Sequence, residues 1–156
     1  MVTDRTRRVA ALVLRVAAAG LTATMGAIHL YLWADGYRSL AIIGGLFLLN
    51  GIVGCLLALT LLVVPYRWLG LVATVAALFT AGTLGALFLS LTTGLFGFEE
   101  SFDAELVRPT VAVEAAGILV LTTLAVAALS HRHHPRGQGP GRSPVEGGAA
   151  RTSADS

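Results

Sequence analysis

Among the polar side chains in the long apolar stretches of this chain, four have types and positions that suit them to chemistry. They are His29, Asn50, Thr83 and Glu114. An imidazole and a carboxyl can exchange protons or bind a polar ligand, and a carboxamide and a hydroxyl can orient them through hydrogen bonds. Polar groups in apolar surroundings are costly unless they find partners. Two alternatives follow: a site that binds a ligand or a proton, and hydrogen bonds between helices that only stabilise the fold.

The apolar stretches that carry these residues are long enough to cross a lipid bilayer. Hydrophobic residues make up 55% of the 156 residues and charged residues only 13%, whereas soluble domains carry about 25% charged residues. A membrane-spanning helix needs about 20 apolar residues. Four spans are predicted, at about residues 16–33, 40–64, 69–91 and 107–129. A soluble fold could not bury four such blocks in so short a chain.

Helix geometry places the four polar side chains at similar depths. At a rise of 1.5 Å per residue they lie about 6 to 15 Å below the outer ends of their spans. One cluster inside the bundle would satisfy all of them, with His29 and Glu114 as the natural pair. We predict a ligand or proton site formed by these four residues, with Trp33, Tyr37 and Arg38 at its mouth. No catalytic residue, metal site or cofactor is predicted.

The arginines predict how the spans are oriented. All the basic residues are arginine, and only Arg38 and Arg108 lie in the two loops on one side. The others flank the spans on the opposite side, which the positive-inside rule assigns to the cytoplasm. Both termini are therefore predicted to be cytoplasmic in a multi-pass plasma-membrane protein, and nucleic acid is not an expected partner. Residues 131–156, rich in Gly, Pro, Ser and Arg, are predicted to be a disordered cytoplasmic tail.

Small residues at four-residue spacing predict the faces on which the helices meet, because close packing drives helix association in lipid. These sets are Ala19, Ala23 and Ala27; Gly51 and Cys55; Gly54 and Ala58; Ala73, Ala77, Ala81 and Gly85; and Ala112 and Ala116. With short connections, residues 1–130 are predicted to form an all-α, up-down-up-down transmembrane four-helix bundle. The lipid bilayer is the expected partner, and some of these faces could instead serve a homo-oligomer or a membrane-protein partner.

The loop before the fourth span has its own pattern. Phe98, Phe102 and Leu106 are spaced by four residues. This spacing predicts a short amphipathic helix on the outer leaflet, with the acidic residues on its other faces.

The strings "GAIHLYLWADGYRSLAIIGGLFLLN", "GLFGF" and "VEAAG" resemble a family of small four-span actinobacterial membrane proteins with no assigned activity. The motif residues are Gly26, His29, Leu30, Trp33, Tyr37, Arg38, Gly45, Phe47, Leu48, Asn50 and Glu114. The chain also resembles DoxX-like four-helix membrane proteins through Arg15, Gly20, Gly26 and His29. Where those proteins usually carry a glutamate in the second span, this chain has Asn50.

These observations predict a non-enzymatic integral membrane protein of unassigned activity, with a polar ligand or proton site in the outer half of the bundle. Two alternatives share this architecture. One is a DoxX-like redox protein that associates with a quinone. The other is a small proton-coupled transporter, or an accessory or scaffold subunit of a larger complex.

Overall fold

The computed structural model describes residues 2–104 and 106–130, and within this range the fold is helical. Helix α1 spans Val2–Asp35, and a short 3-10 helix at Tyr37–Ser39 follows it. Helix α2 spans Ala41–Val63, α3 spans Tyr66–Thr92 and α4 spans Val107–Ser130. The predicted all-α fold is confirmed, whereas the predicted tail at 131–156 lies outside the described residues.

All four helices are long and apolar enough to cross a membrane, and the chain is an integral membrane protein. Helix α1 begins well before the predicted start at residue 16, so the arginine-rich N-terminal segment continues the first helix. Pro65 separates α2 from α3, because proline has no N–H group to donate within a helix. Large apolar side chains on the outside of the bundle are exposed, as contact with lipid requires.

Neighbouring helices run antiparallel in an up-down-up-down bundle. Helix α1 packs closely on α2 and also on α4, and α3 packs closely on α4. The fourth side of the bundle is different, because α2 and α3 approach each other only slightly. That weakly packed side is where the cavity described below lies.

Glycines allow the closest approach in the bundle, which is between α1 and α2. A Cβ atom at Gly26 would lie 3.0 Å from the backbone nitrogen of Cys55 and 3.1 Å from the carbonyl oxygen of Gly51. One at Gly54 would lie 3.1 Å from the Cα of Gly26. The two backbones therefore touch at this crossing, as the packing of small residues in membranes predicts.

The predicted small-residue faces are only partly the faces that the helices bury. Gly54 and Ala58 are buried, and so are the first members of three other sets, Ala19, Gly51 and Ala73. Several later members are exposed, namely Ala23, Ala27, Cys55, Ala81 and Gly85, and in the last set Ala112 is exposed while Ala116 is half-buried. A four-residue step exceeds one helical turn by about 40°, so a long stripe at this spacing rotates away from the contact face.

The half of the bundle near Ser130 is filled with apolar side chains. Its core comprises Ala18, Ala19, Leu61, Leu69, Ala73, Ala76, Leu121, Leu124, Ala125 and Ala128. At the edge of this core, Arg15 donates hydrogen bonds of 2.6 Å to the carbonyl oxygens of Leu61 and Val64. The guanidinium thus pairs carbonyls that the end of α2 leaves without helical partners. All four polar residues identified above lie in the other half.

The described residues of the loop between α3 and α4 do not form the predicted amphipathic helix, because residues 98–104 contain no helix and Leu106 has a φ angle of 64°. Leu95 and Phe98 exchange backbone hydrogen bonds of 2.7 and 2.9 Å around a two-residue turn. Phe96 and Gly97 in that turn have φ angles of 53° and 77°, which a right-handed helix does not allow. The backbone N–H of Glu100 then donates to the Ser90 carbonyl, which ties the loop to the end of α3. We call it the outer loop, and we call the end of the bundle away from Ser130 its outer end.

Candidate functional site

A cavity of about 320 Å³ lies in the half of the bundle farther from Ser130, between α2 and α3. All four helices, the 3-10 helix and the outer loop contribute to its wall. Most of the wall is apolar, but eight polar residues line it: His29, Tyr37, Asn50, Thr83, Ser90, Glu100, Thr110 and Glu114. This volume lies at the lower end of the range of small-molecule sites, and a few polar groups in an apolar wall are typical of them.

The structure brings the four predicted site residues, one from each helix, to this one cavity. Nε2 of His29 lies 4.0 Å from Oε1 of Glu114, which is too long for a direct hydrogen bond. Asn50 and Thr83 line the same space from α2 and α3. The four side chains therefore cluster between the helices, and their binding of a ligand or a proton stays a prediction.

The position of the His29 ring fixes which nitrogen carries its hydrogen. Nδ1 lies 2.9 Å from the backbone carbonyl oxygen of Met25. A carbonyl oxygen only accepts hydrogen bonds, so Nδ1 donates. In the neutral ring, Nε2 is then an acceptor that faces Glu114.

Glu114 is the most deeply buried ionisable residue of the cavity. Its side chain is 1% exposed, and its Oε2 atom has no hydrogen-bond partner among the described residues. The hydroxyl of Thr83 lies beside this carboxyl, but it donates a hydrogen bond of 2.8 Å to the Thr80 carbonyl. The carboxyl therefore has unmet hydrogen-bonding capacity inside the protein.

Two further hydroxyls of the cavity share this property. The side-chain oxygens of Ser90 and Thr110 are buried and have no partner within the described part of the chain. Buried polar groups in native proteins are almost always paired, so unpaired ones indicate a place where water or a ligand supplies the partner. All three unpaired groups, including Glu114, line the same cavity.

Tyr37 covers the outer end of the cavity. Its hydroxyl donates a hydrogen bond of 2.6 Å to Oε2 of Glu100 in the outer loop. Its ring stacks on Phe47 at a centroid distance of 4.5 Å and meets the edge of Phe98 at 5.7 Å. Burial raises the pKa of Tyr37, and the hydrogen bond and charge of Glu100 raise it further, so the hydroxyl keeps its proton.

The other two residues predicted at the mouth lie elsewhere. Arg38 is exposed and Trp33 is half-buried, and neither lines the cavity. Sequence reasoning also missed Ser90 and Thr110, although helical spacing could have indicated both. Thr110 precedes Glu114 by four residues and Ser90 follows Thr83 by seven, which are the intervals of one helix face.

Between α2 and α3 the wall of the cavity includes residues of the outer surface of the bundle. Leu78 and Gly82 line it from α3, yet both are exposed on the outside, Leu78 to 69%. Helices α2 and α3 also pack only loosely against each other.

Comparison with known proteins adds no assignment: no family model, curated protein or solved structure matches this chain.

Proposed function

We propose that this membrane protein binds a small molecule with an apolar body and one polar end in the cavity between α2 and α3. The observation that carries the proposal is that Ser90, Thr110 and Glu114 line the same cavity. Each has a buried oxygen without a partner among the described residues, and most of the wall around them is apolar. A polar end beside Glu114 would supply a hydrogen bond that this carboxyl lacks.

The shape of the site supports a ligand that comes from the membrane. Apolar side chains of α2 and α3, among them Leu46, Phe47 and Phe79, would surround its body. The gap beside Gly82 would admit it sideways from lipid. The Tyr37–Glu100 hydrogen bond closes the outer end over it.

The arginine distribution supports an orientation in the plasma membrane with both termini in the cytoplasm. The cavity would then lie in the outer half of the bilayer. The resemblance to small actinobacterial membrane proteins with no assigned activity remains a prediction, and so does the DoxX-like alternative, in which the bound molecule would be a quinone. Proton-coupled transport, a scaffold role and association through exposed small residues remain predictions.

The proposal is tested by closing the lateral opening. A Cβ atom at Gly82 would have no neighbour within 4 Å, so Gly82→Leu can fill the opening without a clash. Gly85→Leu is the matched control, because Gly85 also has open space on α3 but does not line the cavity. Native mass spectrometry of the protein in lipid nanodiscs would measure any bound small molecule.

We expect a bound molecule in the wild type and in Gly85→Leu, and at least a tenfold lower occupancy in Gly82→Leu. Equal occupancy in the two variants would contradict the proposal, and so would a wild-type protein without any bound molecule.

A further inference from the structure

We propose that the polar end of the ligand is a protonated amine, so that the cavity takes a hydrophobic organic cation. This inference rests on the proposed function and specifies its ligand class. Three independent properties of the wall support it: its charge, its aromatic rings and the hydrogen-bonding character of its unpaired atoms.

The ionisable groups of the wall favour a cation over an anion. Two carboxyl groups line the cavity, those of Glu100 and Glu114, and no arginine of the described residues does. The only basic side chain among the residues that line the wall is His29. Its Nδ1–H is already donated to the Met25 carbonyl. An anionic ligand would face carboxyl groups without a cationic side chain to pair with, whereas a cation would pair with Glu114.

Aromatic rings line the same space at several depths. Tyr37, Phe47, Phe79 and Phe98 all line it, and Tyr37 and Phe47 stack on each other. The faces of aromatic rings attract cations, and this attraction is larger where water is excluded. The rings therefore stabilise a positive charge and also bury the apolar body of the ligand.

The unpaired atoms of the cavity can all accept hydrogen bonds. They are Oε2 of Glu114 and the hydroxyl oxygens of Ser90 and Thr110. Oε1 of Glu114 and Nε2 of the neutral His29 ring add two acceptors that lie 4.0 Å apart, too far to bond each other directly. An ammonium group carries donors only. With two or more N–H bonds it can donate to both of these atoms at once.

Two probes of the same skeleton test this inference. They are 2-phenylethylammonium and the neutral 2-phenylethanol, titrated by calorimetry into the full-length protein in phosphatidylcholine nanodiscs, with empty nanodiscs as the reference. Glu114→Gln removes the carboxylate with little change of shape. Glu99→Gln is the matched control, because Glu99 is an exposed acid that does not line the cavity.

We expect the wild type and Glu99→Gln to bind the ammonium probe at least tenfold more tightly than the alcohol. Glu114→Gln should lose this preference. The comparison of probes on the wild type needs no variant, so it stands even if Glu114→Gln fails to fold.

Equal affinity for the two probes in the wild type would overturn the inference, and so would a preference that survives in a folded Glu114→Gln. If both probes bind equally and Gly82→Leu abolishes both, the proposed cavity stands and only its ligand class is wrong. Binding of neither probe also overturns the inference, and the mass-spectrometric comparison of Gly82→Leu with Gly85→Leu then decides the proposed function separately.

Discussion

His29 and Thr83 are each held by a hydrogen bond to a backbone carbonyl within their own helix. His29 is oriented by the Met25 carbonyl, which leaves Nε2 facing Glu114. Thr83 donates to the Thr80 carbonyl, and its hydroxyl lies beside the Glu114 carboxyl. The site is therefore fixed in position by backbone groups while its acceptors remain available to a ligand.

At the residue scale, Tyr37→Phe should loosen the outer loop. The change removes the hydroxyl that donates to Glu100 and leaves the stacking on Phe47 in place. We expect a loss of about 1 kcal/mol in the local stability of the loop, because the bond is partly exposed to solvent. Hydrogen exchange of backbone amides at residues 94–104 would measure this loss.

The control for this prediction is Tyr66→Phe, since Tyr66 is exposed at the start of α3, far from the loop in sequence. Unchanged exchange rates in Tyr37→Phe would show that the hydrogen bond does not hold the loop.

The hydrogen bond from Tyr37 to Glu100 should also depend on pH. Folding raises the pKa of Tyr37 above its ordinary value of 10.0, so its stabilising contribution is complete below pH 10.0 and is lost as the pH rises toward the folded pKa. The tyrosinate absorbance that Tyr37→Phe removes should therefore titrate above pH 10.0.

Helix pairs in this bundle differ in how closely they pack, and glycine decides the difference. Gly26, Gly51 and Gly54 let α1 and α2 approach to backbone contact. Between α2 and α3 no such contact forms, and Gly82 instead borders open space. The same residue type thus closes one side of the bundle and leaves another open.

At the element scale, Gly26→Ala should destabilise the bundle although alanine favours a helix. The added Cβ would lie 3.0 Å from a backbone nitrogen of α2, which cannot move aside as a flexible side chain would. Overpacking of this kind costs about 1 to 3 kcal/mol. Unfolding in mixed micelles with increasing SDS would measure it.

Gly20→Ala is the matched control on the same helix, because a Cβ at Gly20 would have no atom within 4 Å. It should leave stability unchanged or raise it by up to about 1 kcal/mol, since alanine has the higher helix propensity. If Gly26→Ala were as stable as Gly20→Ala, the close crossing of α1 and α2 would be refuted.

The molecule as a whole divides into two halves with different packing. The half near Ser130 has a closed apolar core, which Arg15 borders. The other half holds every polar residue of the cavity and is covered by the outer loop. Because the half near Ser130 is closely packed, we expect the cavity in the other half to bind and release a ligand without unfolding the bundle.

At the scale of the molecule, the arginines predict that this open half faces the outside of the cell. Cys55 is the only cysteine, so Cys55→Ser gives a background without thiols for the reporters Thr6→Cys and Ser101→Cys. A membrane-impermeant maleimide should label Ser101→Cys in intact cells and Thr6→Cys only after the membrane is permeabilised. The reverse pattern would place the termini outside. The Cys55→Ser chain alone should give no label.

Four spans, and the positions of the polar residues along them, could be predicted from the sequence alone. Both depend on distance along the chain, since the thickness of the bilayer sets the length of a span and the helical rise sets depth. His29, Asn50, Thr83 and Glu114 could for this reason be grouped before their contacts were known. Which side chains of a long helix face its neighbours is harder to predict, because a small error in the assumed angle per residue accumulates along the helix. The stripe from Ala73 to Gly85 shows this, since its first residue is buried and its last is exposed.

Which sides of the bundle close depends on how the helices pack, and the sequence alone did not predict it. The gap between α2 and α3, the unpaired oxygens of Ser90 and Thr110 and the bond from Tyr37 to Glu100 all join parts of the chain that are far apart in sequence. Such contacts depend on how side chains from several helices share one space, and no local pattern encodes that. The loop containing Phe98 is a second case in which local spacing did not predict the structure. Its apolar residues have helical spacing, but the chain forms a turn with positive φ angles and Phe98 packs on Tyr37.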